Sequence, residues 1–312
     1  MKKVPASHLF LILLTVVLAS CSINRLAVRA VAGMLGGGGA STVFTGEDDP
    51  ELVGDALPFA LKIYESLLAS DPTNSALALS TGQAFCMYAF AFVQAPADQL
   101  PDSEVETQIA MRARAKKLFL RAREYVLRGL ELRRRGFRAE LEKGRTAAAL
   151  ELTKPVDIDY LYWAGASWLA AFSTDPFDMK LLVAVPQPEA LLKKVLAWDD
   201  AYGGGSVHEL FVSFYASVPA EIGGSEEKAR AHYRRALELS RGMTAGPYLS
   251  LASSVSVKNQ NPAEFRELLA KALAVDVDAD PNNRLQNVIN QRKARWMLEH
   301  IDQFFLLEEG QE

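Results

Sequence analysis

Residues 225–240 read Ser-Glu-Glu-Lys-Ala-Arg-Ala-His-Tyr-Arg-Arg-Ala-Leu-Glu-Leu-Ser. Ala229, Tyr233 and Ala236 recur at i, i+4 and i+7, which is the spacing of one face of an α-helix, and Ser240 extends the same face. Alanine lets a neighbouring backbone approach closely, and the tyrosine fills the gap beside it. The remaining surface is charged. This stretch therefore predicts a helix that packs tightly along one narrow face.

The small–aromatic–small register is typical of the second helix of a tetratricopeptide (TPR) unit, and here it recurs. Related steps are Ala60/Tyr64/Leu67, Ala115/Phe119/Ala122 and Phe265/Leu269/Ala272. No convincing alternating strand is present; Leu181–Val185 could be extended, but this segment is short. We predict an all-α domain over residues 47–312, in which irregular TPR-like helical-hairpin repeats stack into a compact superhelix.

The helices expected to come first in each pair are rich in aromatic residues. Residues 76–93 are apolar almost all round, so this helix should be buried on several sides, and Gly82 should permit a close crossing with its neighbour. Residues 157–172 carry aromatic rings on three faces, which is too many for a simple surface helix. Either these rings fill a core, or they line an apolar channel enclosed by the curved stack.

The N-terminus predicts an exported lipoprotein. Two lysines precede an apolar run over residues 9–18, which has the length of a secretory signal rather than of a membrane span. The run ends in Leu18-Ala19-Ser20-Cys21, which is similar to a bacterial lipobox. We predict a signal peptide over residues 1–20, cleaved before a lipidated Cys21. Acyl chains on this cysteine would anchor the protein in a membrane. The alternative is a plain signal peptide cut near Ser20.

The membrane is indicated by the next residue. Ser22 is not the aspartate associated with retention in the inner membrane, so the outer membrane is favoured. Residues 21–46 then form a tether, because Gly36–Gly39 breaks any short helix and gives flexible reach. Those glycines lack the Gly-Lys-Ser/Thr ending of a phosphate-binding loop.

Charge and cysteine content exclude several classes of function. The chain has a formal net charge of −4, and loss of the two lysines in residues 1–20 makes the mature charge −6. No basic stripe for nucleic acid is present. With Cys21 lipidated, Cys86 is a single thiol in an apolar stretch, which indicates a buried, inert cysteine. Neither a disulfide framework nor a metal cluster is predicted.

Enzyme chemistry and a cofactor are not expected. After cleavage the histidines are His208, His232 and His300, which lie far apart without a companion motif, so we expect each to form surface or interhelix hydrogen bonds. Asp199-Asp200 is interpreted as a loop rather than a cation site. The sequence contains no Gly-x-Ser-x-Gly, His-Glu-x-x-His or Cys-x-x-Cys motif.

A long helix over residues 104–135 carries a strongly basic outer face, with Arg112, Arg114, Lys116, Lys117, Arg121, Arg123, Arg128 and Arg133 to Arg135. Such a charge run is typical of a solvated helix face. The alternative is a docking surface for an acidic partner or for anionic lipid headgroups.

Several ordered fragments together resemble one family. They are Asp48-Asp49-Pro50-Glu51-Leu52-Val53, Ala56 to Lys62, Tyr64-Glu65-Ser66-Leu67-Leu68, Tyr88 to Val93, Tyr162-Trp163-Ala164, Ala245-Gly246-Pro247-Tyr248, Ser254 to Lys258 and Arg292 to Trp296. In this order they are similar to the T component of TPR-associated TRAP (tripartite ATP-independent periplasmic) transporters. The resemblance covers residues 21 to about 306.

The resemblance implies a non-catalytic periplasmic lipoprotein that assembles as a trimer, has an apolar pore in each protomer and partners the TRAP solute-binding subunit. The pore would receive, store or hand over an apolar or amphiphilic small molecule. The candidate pore residues, taken from the motif positions and adjacent apolar helices, are Tyr88, Phe92, Tyr160, Trp163 and Phe214. The alternative function is a TPR scaffold lipoprotein that mediates protein–protein interactions in envelope assembly and has no internal cavity.

Overall fold

The computed structural model describes residues 43–306, and within that range the chain is all-α, with no strand. Cys21, the signal peptide and most of the predicted tether lie outside the described residues. The α-helices of six residues or more are α1 (Pro50–Ser70), α2 (Ser75–Ala89), α3 (Val105–Arg133), α4 (Phe137–Glu142), α5 (Thr146–Glu151), α6 (Ile158–Thr174), α7 (Met179–Ala184), α8 (Pro186–Trp198), α9 (Ser206–Ser217), α10 (Glu226–Ser240), α11 (Gly246–Leu251), α12 (Pro262–Leu273) and α13 (Arg284–Glu299).

Helix α10 is the stretch that opened the sequence analysis, and its predicted face is confirmed. Ala229, Ala236 and Ser240 are buried, while Tyr233 is half-buried. The helix begins because the Ser225 side chain accepts a hydrogen bond from the backbone N–H of Lys228 at 3.2 Å. It ends where the backbone turns left-handed, at Arg241 (φ 52°) and then Gly242 (φ 73°).

Consecutive helices pack as pairs. Helix α2 packs on α3, α6 packs on both α3 and α8, α9 packs on α10, and α11 packs on α12. The α2–α3 crossing is close because Gly82 has no side chain: an added Cβ would lie 2.8 Å from the Ala122 carbonyl oxygen and 2.4 Å from Val126 Cγ2. The predicted role of Gly82 is confirmed. The TPR-like character of the pairs stays a prediction from the sequence register.

The inner helices follow one another around a ring. Helix α2 contacts α6, α6 contacts α9, and α9 contacts α11. Helix α13 then contacts both α11 and α1, and α1 contacts α2. Arg292 forms an ion pair with Glu51, and Arg284 donates to the Gly46 carbonyl at 3.1 Å, so polar contacts support the closure between the two ends of the domain. The ring places α2, α6, α9 and α11 around a common interior.

Helix α2 and its continuation through Ala97 are long and apolar enough to cross a membrane by length and composition. In the folded chain this segment packs against α1, α3 and α6, and 56% of its most apolar window is buried. The segment is therefore the central core helix that its all-round apolar sequence predicted. It widens into a π-helical turn at Phe90–Gln94, and α11 does the same at Ala252–Ser256.

Two segments are more helical than the sequence indicated. Leu181–Val185, which the sequence leaves open as an extended segment, is not extended: α7 forms there because the Asp178 side chain caps it, accepting from the N–H groups of Lys180 and Leu181, and Leu181 is buried. After α2, helical geometry continues over Ala95–Ala97. Two short helices, α4 and α5, went unpredicted because each is too short for a helical period to stand out.

The basic face of α3 is less solvated than the charge run indicated. Most of its cations are paired within the protein. Lys116 bridges Asp175 and Asp178, Arg112 binds Asp98, Arg121 binds Glu65, and Arg133 and Arg134 bind Asp157. The face therefore ties α3 to the loops and helices around it.

Candidate functional site

The most unusual polar group in the ring is the carboxyl group of Glu209 on α9. Protein covers much of this side chain, and part of it remains accessible. The carboxylate lies against the backbone of Gly246 at the start of α11, where an added Cβ would come within 2.1 Å of Glu209 Oε1. Burial raises the pKa of Glu209 to about 7.

Tyr162 of α6 faces the same interior. Protein covers much of its side chain, and part of it remains accessible. Burial raises the pKa of its hydroxyl, and the nearby Glu209 carboxylate raises it further. Its ring packs edge-on against Trp163 at 5.2 Å and tilts against Tyr202 at 4.9 Å. Tyr202 lies towards the protein surface, because its hydroxyl donates a hydrogen bond to the exposed Asp159 at 2.6 Å. An aromatic cluster thus runs from the protein surface towards Glu209.

Cys86 of α2 lies near Tyr162. It is buried, and burial raises the pKa of its thiol to about 11, so the thiol stays protonated. The predicted inert cysteine is confirmed. Its neighbour Ser167 donates to the Trp163 carbonyl at 2.6 Å. Helices α2, α6, α9 and α11 therefore each contribute atoms around one interior region.

The five predicted pore residues do not form one cluster. Tyr88 is buried under Arg114, which donates to its hydroxyl at 3.2 Å, and its ring stacks on Phe92 at 6.0 Å. Phe92 in turn packs over Gly54 of α1. These two rings belong to the contact between α1, α2 and α3.

The other three candidates lie apart. Tyr160 packs between α6 and α3, against Gly129 and under Arg133 at 5.2 Å. Phe214 is buried with Phe211 on α9, in the group of rings that includes His232 of α10. Trp163 is the candidate next to the enclosed Tyr162–Glu209 region. Pore lining by these residues stays a prediction.

Two histidines that are distant in sequence meet between α9 and α10. The Nδ1 atoms of His208 and His232 are 2.8 Å apart, and Nε2 of His208 lies 3.1 Å from Asp200 Oδ1. Asp200 also binds Arg235. The expected interhelix hydrogen bonding is confirmed, and Asp199-Asp200 does lie in a loop. Within residues 43–306 no group of three or more His, Cys, Asp or Glu side chains is arranged to hold a metal ion.

Glu209 and Tyr162 were missed as site residues. The signal for Glu209 was a single carboxylate within the apolar run Val207 to Tyr215, which is unusual on a helix buried on most sides. Ser206, Glu209 and Ser213 share one helix face at i, i+3 and i+7. The sequence therefore indicated a polar strip on an otherwise apolar helix. The side of α9 that faces the interior depends on how the ring of helices closes, so it could not be predicted from the sequence.

Comparison with known proteins agrees with this architecture. Residues 46–305 match the family model described as TRAP transporter T-component. An uncharacterized protein of Treponema pallidum (strain Nichols) is 34% identical over 303 residues, covering 92% of this chain and 94% of the relative. The chain therefore belongs to the TRAP transporter T-component family, which makes it an accessory component of such a transporter, associated with its other subunits in the periplasm or envelope.

Proposed function

We propose that the protein is a non-catalytic lipoprotein that binds an apolar or amphiphilic small molecule in a pore through the helix ring and docks the solute-binding subunit of its transporter. The main support for a pore is the partial exposure of Glu209 and Tyr162, two side chains that are otherwise covered by protein. Both are enclosed by protein and both keep accessible surface, as residues bordering an internal space do. The contacts that α13 makes with α11 and α1 support this proposal, because they would close a wall around such a space.

The wall has the composition of a small-molecule site. Such sites are mostly apolar, with a few polar groups that fix the orientation of the ligand. Here the rings of Tyr162, Trp163 and Tyr202 supply apolar surface, and Glu209 supplies a polar group. A lipidated Cys21 and a tether over residues 21–46 would hold this site near the membrane, the outer membrane being favoured by Ser22.

Ligand retention tests the pore. Native mass spectrometry of the purified protein, followed by lipid extraction, should reveal a bound small molecule. Trp163→Lys should reduce the bound fraction at least about tenfold, because it places a positive charge in apolar surroundings. The matched control is Phe177→Lys, since Phe177 is 91% exposed. Circular dichroism should show both variants to be helical. An empty wild-type protein with a packed interior would contradict the proposal.

An exposed apolar segment supports docking to another subunit. Phe177, Met179 and Val183, before and within α7, are 91%, 65% and 75% exposed. Clustered apolar side chains on a surface are typical of protein contacts. Phe177→Ser should weaken co-purification with the solute-binding subunit, whereas Phe59→Ser, at an exposed position on α1, should not. A trimer, the assembly implied by the resemblance, is tested by light scattering of both variants.

The scaffold alternative predicts a different set of partners. If the protein assembled envelope proteins, pull-down would recover peptidoglycan or envelope-assembly factors rather than the solute-binding subunit. It would also leave the interior without a ligand. A gene pair encoding the solute receptor and its membrane permease next to this gene would favour the transporter function.

A further inference from the structure

Within residues 43–306, Glu209 is a largely covered, partly accessible carboxylate that forms no hydrogen bond or ion pair with the protein. Buried acidic side chains are normally paired with a cation or satisfied by several hydrogen bonds, since an isolated buried charge is costly. Among residues 43–306, no side chain or backbone group donates a hydrogen bond to Glu209, and no lysine, arginine or histidine forms an ion pair with it. Its neighbour across the helix contact, Gly246, offers only backbone.

The electrostatics around Glu209 are one-sided. Burial raises the pKa of Glu209 to about 7, and among residues 43–306 no lysine, arginine or histidine nitrogen lies within ion-pair distance of its carboxylate. The other ionisable groups of this region are Tyr162 and the thiol of Cys86, both neutral when protonated. At the surface end of the aromatic cluster stands another carboxylate, Asp159. The region therefore attracts cations and repels anions.

The aromatic groups complete a site for a soft cation. The rings of Tyr162 and Tyr202 lie 4.9 Å apart at 47°, and Trp163 packs edge-on against Tyr162. Ring faces at an angle to one another attract ammonium groups through their quadrupoles, most strongly where water is excluded. A carboxylate beside such rings adds a full opposite charge. Together these groups favour an ammonium head over a carboxylate or an uncharged one.

We propose that Glu209 anchors an alkylammonium group and that the ligand of this pore is an amphiphile with a cationic head seated between the Glu209 carboxylate and the rings of Tyr162 and Tyr202. This inference rests on the proposed ligand-binding function. It adds the charge of the ligand, its orientation and the residue that selects it. Binding forms no covalent bond. The selectivity for a cationic head would come from the negative charge of Glu209 and from the ring faces.

The test uses three probes with the same chain and different heads: decyltrimethylammonium, decanol and decanoate. The protein is stripped of co-purifying lipid, and each probe is titrated below its micelle concentration at pH 8 by calorimetry. We expect decyltrimethylammonium to bind at least about tenfold more tightly than either other probe, the scale of a hydrogen bond or contact with a charged group. Glu209→Gln should abolish this preference and leave decanol binding unchanged. Glu227→Gln, at an exposed position on α10, should retain it.

The outcomes separate the two proposals. If decanol binds and the ammonium probe has no advantage, the anchor is wrong and the pore stands. If decanoate binds best, or if Glu209→Gln keeps the preference, the anchor is also wrong. If no probe binds to folded wild-type protein, both the pore and its anchor are contradicted. Should Glu209→Gln fail to fold, Tyr162→Leu serves instead, with the expected loss of the ammonium preference only.

Discussion

His208 of α9 and His232 of α10 share a hydrogen bond between their Nδ1 atoms, 2.8 Å apart, while His208 Nε2 faces Asp200. One Nδ1 atom of this pair must accept the hydrogen that the other donates. Protonation of both rings would therefore place two donors against each other. The ring of His232 also stacks on Tyr215 at 5.4 Å. The α9–α10 contact thus tolerates at most one charged imidazole.

This pair predicts acid sensitivity. Burial, together with the His208 charge, lowers the pKa of His232 to about 4 from its usual 6.5. The depressed pKa means that the contribution is full above pH 6.5 and is lost as the pH falls towards 4. Between pH 7 and 4.5 the free energy of unfolding of the wild type should fall by about 1 to 2 kcal/mol more than that of His232→Phe.

Denaturant titrations at the two pH values measure this difference, and NMR gives an independent reading. The His232 ring signals should titrate near pH 4. Equal pH slopes for the wild type and His232→Phe, together with a His232 titration near 6.5, would contradict the assigned environment.

Glu209 predicts the opposite pH dependence. Its pKa is raised from 4.5 to about 7, so its contribution to stability is full below pH 4.5 and is lost as the pH rises through 7. Glu209→Gln removes the cost of the buried charge. The variant should therefore exceed the wild type in unfolding free energy by about 1 to 3 kcal/mol at pH 8 and by little at pH 5. Glu227→Gln should show no such change. A difference that does not vary with pH would exclude a buried, unpaired Glu209.

The sequence predicted the helix pairs well because their signals are local. The buried face of α10 follows from residues within a few turns of one another, and the apolar residues around Gly82 within α2 indicated a close crossing. The site was harder to predict. Glu209 meets Gly246 of another helix, and His208 meets His232 across a helix pair, so both contacts depend on how successive helix pairs pack on one another. Residue spacing does not encode that curvature in readable form.

Removing the Asp157 carboxylate should cost much of the stability of the contact between α3 and α6. Its side chain is fully buried and accepts from Arg133 at 2.8 Å, from Arg134 and from the Lys154 N–H, which ties the end of α3 to the start of α6. Burial alone would raise its pKa, but these partners lower it. Asp157→Ala leaves two arginines without their shared anion, so it should cost about 3 to 5 kcal/mol of unfolding free energy.

Glu142→Ala is the matched control for that substitution, because Glu142 pairs with Arg138 in an exposed contact. Its cost should stay below about 1 kcal/mol. Chemical denaturation at pH 7 measures both variants. Equal costs for the two substitutions would show that Asp157 does not join the helices.

Gly82 and Gly54 predict different costs for the same added methyl group. At Gly82 the Cβ would meet the Ala122 carbonyl oxygen at 2.8 Å as well as Val126, and the backbone of α3 has to move. At Gly54 it would meet the ring of Phe92 at 2.8 Å, a side chain that can rotate away. Alanine also favours helix over glycine by about 1 kcal/mol at both positions.

Gly82→Ala should therefore lower the free energy of unfolding by about 1 to 3 kcal/mol, the cost of overpacking, whereas Gly54→Ala should leave it nearly unchanged. Thermal and denaturant unfolding of the two variants measure the difference, and a stabilised Gly82→Ala would mean that α2 and α3 cross at a greater distance.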